Sequence, residues 1–385
     1  MELADAVVMF KEALAREPQN PDYWISLGHV YLFQMLEKSG RLGHELFPAS
    51  AEFLPPSTEP DPALHRLMWD ALLRGRGICE KRIASHPPDS EAYYFLGLSH
   101  AIESSYHFNL LRKYLDAYGP ANRAREAHEK VRALDTANHD ANLILGAHQY
   151  AIGSVPGAFR WVLRLAGYSG TRENGVKLVQ DALLHGKRGP AGPLLMLAYI
   201  YNREKEYAYS RQMLAHLVRF YPRNPHYELH LADSFRKEGK LEGAVEAYQR
   251  VENKMRDGAP GYARVDAPRL AFQLGAALAR LGKHDLALAY YRQITAAPEG
   301  NVAAPASSMG ASTNGGPGNA APAARASAPA PPILVAHAWL RIGDLHRALA
   351  QKDAARAAYS RAAQLPFPDV KRAATARLRE LGRSN

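Results

Sequence analysis

The chain has 385 residues, 47% hydrophobic, 9% aromatic and 22% charged, which is the composition of an ordinary folded globular polypeptide rather than a fibrous or low-complexity one. A formal charge of +10 favours acidic partners, but acidic residues are interleaved with the basic ones through most of the chain, which argues against a nucleic-acid surface. The single cysteine, Cys79, excludes an internal disulfide and a cysteine-rich zinc site, and no apolar run approaches the ~20 residues of a membrane-spanning helix.

Residues 1–14 carry Glu2, Asp5 and Glu12, so they do not read as a secretory signal. Ala6, Phe10, Ala13 and Pro18 suit the second helix of a two-helix unit, and the chain is therefore expected to begin midway through one. Trp24, Leu27, Gly28 and Tyr31 then read as a first helix. Pro48, Pro55, Pro56, Pro60 and Pro62 mark a long connection through residues 39–62, after which a helix is predicted over 63–85. Leu96 and Gly97 open the next unit. Its helix is predicted to run to about Tyr118, ahead of Gly119-Pro120, with residues 124–134 as its partner. Leu145, Gly146 and Tyr150 begin another unit.

Residues 153–176 depart from this pattern. Pro156 breaks the helix, and Phe159, Trp161, Val162, Leu163, Leu165 and Tyr168 form an apolar stretch punctuated by Arg160 and Arg164. Gly167-Tyr168-Ser169-Gly170 turns the chain into a helix predicted over 171–185. The aromatics have two readings: core that seals an irregular junction, or a small amphipathic patch making peripheral membrane contact.

Residues 191–258 hold two copies of one pattern. Leu197, Ala198, Tyr201, Ser210, Leu214 and Leu217 are followed 34 residues later by Leu231, Ala232, Phe235, Ala244, Tyr248 and Val251. The small residues permit two helices of a hairpin to cross closely, while the aromatics fill the space between hairpins. A third copy has Leu274, Gly275, Leu278, Ala287, Tyr291 and Ile294, and a further one Trp339, Ile342, Gly343, Ala355, Tyr359 and Ala362. Period and pattern resemble the tetratricopeptide repeat. One such hairpin cannot bury its apolar face alone, so the expected fold is all-α, a right-handed superhelical solenoid of antiparallel helix pairs.

The expected domains are irregular repeats over 1–190, regular repeats over 191–298, an Ala/Pro/Ser/Gly-rich insert over 299–332, and a last repeat with a capping helix over 333–385. The insert has almost no large apolar side chain and is expected to be disordered.

Pro156, Leu163, Leu165, Gly167, Tyr168, Ser169, Gly170, Arg172 and Gly175 resemble a segment of the tetratricopeptide repeat protein 39 and inclusion-body-clearance family. That resemblance implies a role in lipid homeostasis or clearance of protein inclusions. It identifies no reaction.

Chemistry-bearing motifs are few. His226, His230 and Asp233 share one helical face at a spacing that metal sites use, but three side chains of one straight helix do not converge without a fourth ligand, and a polar groove wall is the better reading. Gly315, Gly316 and Gly318 lack the strand and helix of a phosphate loop, and Ser169 lacks the strand of a nucleophile elbow. No catalytic residue, metal or cofactor is expected.

The expected function is a non-enzymatic scaffold or adaptor that holds a protein or peptide, acidic in character, against the first helices of the units. In this register the groove residues are Tyr199, Asn202 and Arg203, then His226, Leu229, Asp233, Arg236 and Lys237, then Arg269, Phe272 and Arg280, then Leu340, Asp344 and Arg347. The alternative is a lipid- or envelope-associated role. The expected compartment is cytoplasmic, or periplasmic or envelope-associated should an upstream signal have been lost.

Overall fold

The computed structural model describes residues 3–39, 59–156, 170–296 and 330–383. Among the described residues there are sixteen α-helices and no strand. They fall into two compact units, Met1–Gly239 and Lys240–Asn385, each a succession of antiparallel helix pairs. The division falls at the turn Gly239, inside the 191–298 block.

Met1–Gly239 contains α1 (Leu3–Arg16), α2 (Pro21–Lys38), α3 (Pro62–Ser85), α4 (Ser90–Ser105), α5 (Tyr114–Leu134), α6 (Ala141–Gly153), α7 (Arg172–His185), α8 (Ala191–Arg203), α9 (Tyr207–Phe220) and α10 (Pro225–Glu238). The hairpins are α2/α3, α4/α5, α6/α7 and α8/α9, with α1 packed on α2 as a second helix. First helices α2, α4, α6 and α8 also touch in succession and so form one layer. The helix starts are set by side chains. Asn20, Asp61, Asp89, Thr171 and Asn224 each accept a backbone N–H of the first turn, satisfying donors that the helix itself leaves open.

The apolar stripes meet in a core that includes Ile25, Leu32, Met68, Leu72, Phe95, Tyr106 and Val131. Where first and second helices cross, small residues bring the backbones together. A Cβ on Gly146 would lie 2.8 Å from the carbonyl oxygen of Gly175, and one on Gly175 would lie 2.6 Å from the amide nitrogen of Tyr150. Only hydrogen fits on either side of that crossing. At α8/α9 the same place holds Ala198 and Ser210, and the Ser210 hydroxyl donates to the Ala198 carbonyl at 2.9 Å.

The predicted extension of the fourth helix to Tyr118 is corrected. α4 ends at Ser105 in a π-helical turn, Tyr106–Leu110, and Arg112 closes it with a left-handed φ of 56°. α5 then runs from Tyr114 through Gly119-Pro120 to Leu134, so the proline is a buried interior residue rather than a break. An interior proline forfeits one ladder bond at about 3 kcal/mol. That loss is offset here by long packing against α4, and the Ser104 hydroxyl donates to the Ala117 carbonyl one turn ahead of Pro120 at 2.9 Å.

Lys240–Asn385 contains α11 (Leu241–Arg256), α12 (Ala267–Arg280), α13 (His284–Thr295), α14 (Pro332–Ala348), α15 (Lys352–Gln364) and α16 (Pro368–Arg383). α12/α13 and α14/α15 are the hairpins, and α12 touches α14 as first helices do. Tyr291 packs its ring on Gly275, and Tyr359 packs on Gly343. α16 lies on α15 and buries Val370, Ala374 and Leu381 while keeping a polar outer face. The insert expected over 299–332 lies outside the described residues up to 329, and α14 already begins at Pro332.

Candidate functional site

In Met1–Gly239 the residues that the register places in a groove sit on α8 and α10, where they are braced rather than loose. Tyr199 and Arg203 are one turn apart on α8, and the Arg203 guanidinium donates to the Tyr199 hydroxyl at 3.2 Å while lying 5.9 Å from the Tyr150 ring centre. On α10, Arg236 Nε donates to Asp233 Oδ1 at 3.2 Å. Lys237 Nζ donates to Asn202 Oδ1 at 2.9 Å, a bond that ties α10 to α8. It also fixes the Asn202 amide, because the opposite orientation would aim Nδ2 at an ammonium. Burial lowers the Lys237 ammonium below the ordinary lysine range, partly offset by Asp233. Arg203 is exposed, Arg236 and Lys237 are half-buried, and Asn202 and Asp233 are buried.

A buttress stands behind Arg203. Glu204 accepts from the Tyr150 hydroxyl at 2.7 Å and from Arg172 at 3.0 Å, and Arg172 also reaches the Gly153 carbonyl at 3.3 Å. The end of α8 is thereby pinned to α6 and α7. His226 and Leu229, half-buried on α10, complete the part of the site in this unit.

In Lys240–Asn385 the predicted residues divide. Arg269 pairs with the helix-capping Asp266 at 3.1 Å, and Arg280 is exposed. Phe272 and Leu340 are buried, Phe272 edge-on to Tyr291 at 5.3 Å. Asp344 accepts from the Tyr359 hydroxyl at 2.9 Å and from Arg377 at 2.6 Å, and Arg347 pairs with Glu380 at 2.7 Å. These two residues fasten α14 to α15 and α16. The repeat register assigns them to the groove, but it says nothing of Arg377 and Glu380, which lie a full helix pair away in sequence.

Among the described residues no group of three or more His, Cys, Asp or Glu could hold a metal ion, so His226, His230 and Asp233 do not form a centre, and none of the three is without a partner. An open cleft of about 420 Å³ at the starts of α2 and α4 is lined by Glu17, Asp22, Arg82, Glu91 and Phe95. Its Arg82 is already held by Asp89 at 2.7 Å and Glu91 at 3.0 Å. Among the described residues no helix is long and apolar enough to cross a membrane. The apolar stretch from Phe159 to Tyr168, with Trp161, lies outside the described residues, as do Ser169 and the glycines 315, 316 and 318. Of the residues that carry the resemblance to the tetratricopeptide repeat protein 39 family, only Pro156, Gly170, Arg172 and Gly175 are described.

Comparison with known proteins bears on the repeats alone. Residues 268–299 and 336–367 match a tetratricopeptide repeat family, and residues 228–254 match a second one. No curated protein matches the sequence. Among solved structures, PilW, a type IV pilus biogenesis factor, is similar at 14% identity and a TM-score of 0.40 over 61% of this chain and 89% of its own. A tetratricopeptide repeat protein of Parabacteroides merdae is similar at 10% identity and 0.39 over 81% and 94%, and yeast Tom70 at 12% and 0.39 over 99% and 85%. At such identities and scores no partner or activity carries over. With helix pairs, small residues at their crossings and three matching stretches in hand, the chain carries tetratricopeptide repeats over 228–254, 268–299 and 336–367.

Proposed function

We propose that the protein is a non-enzymatic interaction scaffold, and that the α8/α10 face binds an extended segment of a protein partner with acidic side chains. The observation that carries this reading is the row of braced cations: Arg203 held by Tyr199, Arg236 by Asp233 and Lys237 by Asn202. A cation already fixed in one rotamer loses less entropy on meeting a carboxylate than a free surface arginine does. Tyr199 and Leu229 beside these cations supply apolar area, so affinity does not rest on charge alone.

The test is affinity capture from the native host with the whole chain and with Arg203→Glu and Arg236→Glu variants. Arg203 is exposed, so its reversal leaves the fold intact, as circular dichroism would register. Loss of the same captured protein from both variants is the expected result. Recovery unchanged in both would remove this face from the function.

A further inference from the structure

Between α4 and α5 the chain leaves the repeat pattern, and the side chains it exposes there are apolar. The π-helical turn Tyr106–Leu110 is closed by the Leu111 amide donating to the Tyr106 carbonyl at 3.1 Å and the Lys113 amide donating to the His107 carbonyl at 2.9 Å. Its base is firm. Tyr106 and Leu110 are buried, and the Tyr106 hydroxyl meets His65 Nδ1 at 2.8 Å. A π turn holds one residue more than an α turn and so rotates the next residues away from the core-facing stripe. Phe108 is 50% exposed, Tyr114 57% and Leu115 91%. The rings of Phe108 and Tyr114 meet edge-to-face at 5.0 Å, which makes them one knob rather than two stray side chains. Arg112 and Lys113 stand exposed between them, and Arg112 holds the left-handed φ that turns the chain.

A single exposed leucine is ordinary. Three large apolar side chains gathered on one anchored turn, with two cations among them, are a surface built for contact. We propose that this knob is a membrane-contact site, inserting Phe108, Tyr114 and Leu115 into the headgroup–acyl boundary of an anionic bilayer. The exposure favours a lipid phase over a protein: a leucine 91% exposed, as Leu115 is, projects beyond its surroundings, and a bilayer deforms around such a side chain. The charge fits as well. Within residues 106–116 Asp116 is the one acidic residue against Arg112 and Lys113, whose long stems can lie along the apolar knob while their heads reach lipid phosphates. The site is separate from the α8/α10 face, and either can fail without the other.

The experiment uses the full chain. Cys79 is buried, so a Leu115→Cys variant takes an environment-sensitive fluorophore at the knob alone. Vesicles of phosphatidylcholine with phosphatidylserine should shift its emission to the blue and co-sediment the protein, whereas phosphatidylcholine alone should do neither to the same degree. In the unlabelled protein, the pair Arg112→Ser and Lys113→Ser should lower the partition coefficient by roughly tenfold, at about fivefold or less per basic residue. The triple variant Phe108→Ser, Tyr114→Ser and Leu115→Ser should abolish sedimentation with an unchanged circular-dichroism spectrum. Sedimentation that survives the triple variant, or equal binding to both vesicle types, would overturn the proposal. So would a fluorophore already shielded without lipid: independent of protein concentration, this would mean that the knob is covered by another part of the chain, and dependent on it, by a second copy.

Discussion

The two units solve the same packing problem with different side chains. In Lys240–Asn385 each hairpin crossing is an aromatic ring over a glycine, Tyr291 on Gly275 and Tyr359 on Gly343, with the Tyr359 hydroxyl reaching past it to Asp344 and tyrosine, not histidine, nearest each glycine. In Met1–Gly239 the crossings also take in polar groups. His128 is fully buried against Gly97, its Nδ1 donating to the Ala124 carbonyl at 2.7 Å. Glu103 sits between Arg76 at 2.6 Å, Arg123 at 3.3 Å and His100 at 3.4 Å, joining α3, α4 and α5. Apolar crossings are indifferent to pH over the ordinary range. Buried ionisable groups are not, and this is where the units should part.

The largest expected effect is acid sensitivity confined to Met1–Gly239. Burial lowers His128 to about 4, and lowers His29 and His148 to about 4, with Arg125 adding to the effect at His148. A histidine whose folded pKa lies below its unfolded value contributes its full stability above about 6.5 and loses it as pH falls towards the folded pKa. By pH 5 the loss is on the order of 2 kcal/mol for each group. Glu103 acts in the same direction: burial alone would raise it, but the hydrogen bond from His100 and the Arg76 guanidinium outweigh burial and hold it at about 2. Its contribution is present above about 4.5 and lost below. Hydrogen exchange followed by proteolytic fragment analysis should show residues 3–239 losing protection between pH 6.5 and 4 while residues 240–383 keep theirs. Parallel loss in both would erase the distinction.

Glu103→Ala sharpens the comparison at neutral pH. It leaves Arg76 buried among Ser99 and Trp69 without its carboxylate, and breaking one side of a buried pair costs about 3–5 kcal/mol. Denaturant unfolding should show an early transition from Met1–Gly239. Replacing the carboxylate by an isosteric amide, Glu103→Gln, should recover part of the loss, since hydrogen bonds remain where charge does not.

Gly175→Ala comes next, at about 2 kcal/mol, because its methyl would meet the backbone of Tyr150 and nothing there can rotate away. Gly275→Ala, the matching change in the other unit, would meet the Tyr291 ring at 3.0 Å, which a small ring displacement relieves. The smaller melting shift is therefore expected in Lys240–Asn385.

These contrasts explain what could be read from the residues alone. Tetratricopeptide hairpins were legible wherever packing is local and apolar, as with Leu274, Gly275 and Tyr291, because the pattern repeats within one unit. The end of α4 was not. Nothing near Tyr106 signals a π turn, and Gly119-Pro120 signals a break that long packing against α4 overrides. On the α8/α10 face the register assigned Asn202, Arg203, Asp233, Arg236 and Lys237 alike to the groove, but that Asn202 and Asp233 are buried and brace Lys237 and Arg236 emerges only in three dimensions. Asp344 and Arg347 show the opposite case, a surface register whose side chains are taken up by Arg377 and Glu380 of α16.

The smallest effect tests whether the units share one turn. Between first and second helices the chain takes a left-handed residue at Lys205, Gly239, Gly282 and Ala350, with φ of 64°, 87°, 74° and 57°. At two of the four the residue is glycine, which carries no steric cost there, and at Lys205 and Ala350 a Cβ crowds its own carbonyl at about 1–2 kcal/mol. Glycine returns part of that gain because it also frees the unfolded chain, so Lys205→Gly and Ala350→Gly should each stabilise by about 0.5–1 kcal/mol. The melting transition should rise by about 1–4 °C in each case. Both residues are exposed, so neither substitution removes a packed side chain, and the gain reads backbone strain less the added freedom of the unfolded chain. A gain at Ala350 without one at Lys205 would mean that the α8/α9 turn is held left-handed by something more than the hairpin. The bond across the turn, from the Glu206 amide to the Tyr201 carbonyl at 2.8 Å, is matched by that from the Gln351 amide to the His346 carbonyl at 2.9 Å, so the interaction to test would then be the hold of Tyr150 and Arg172 on Glu204, the residue before Lys205.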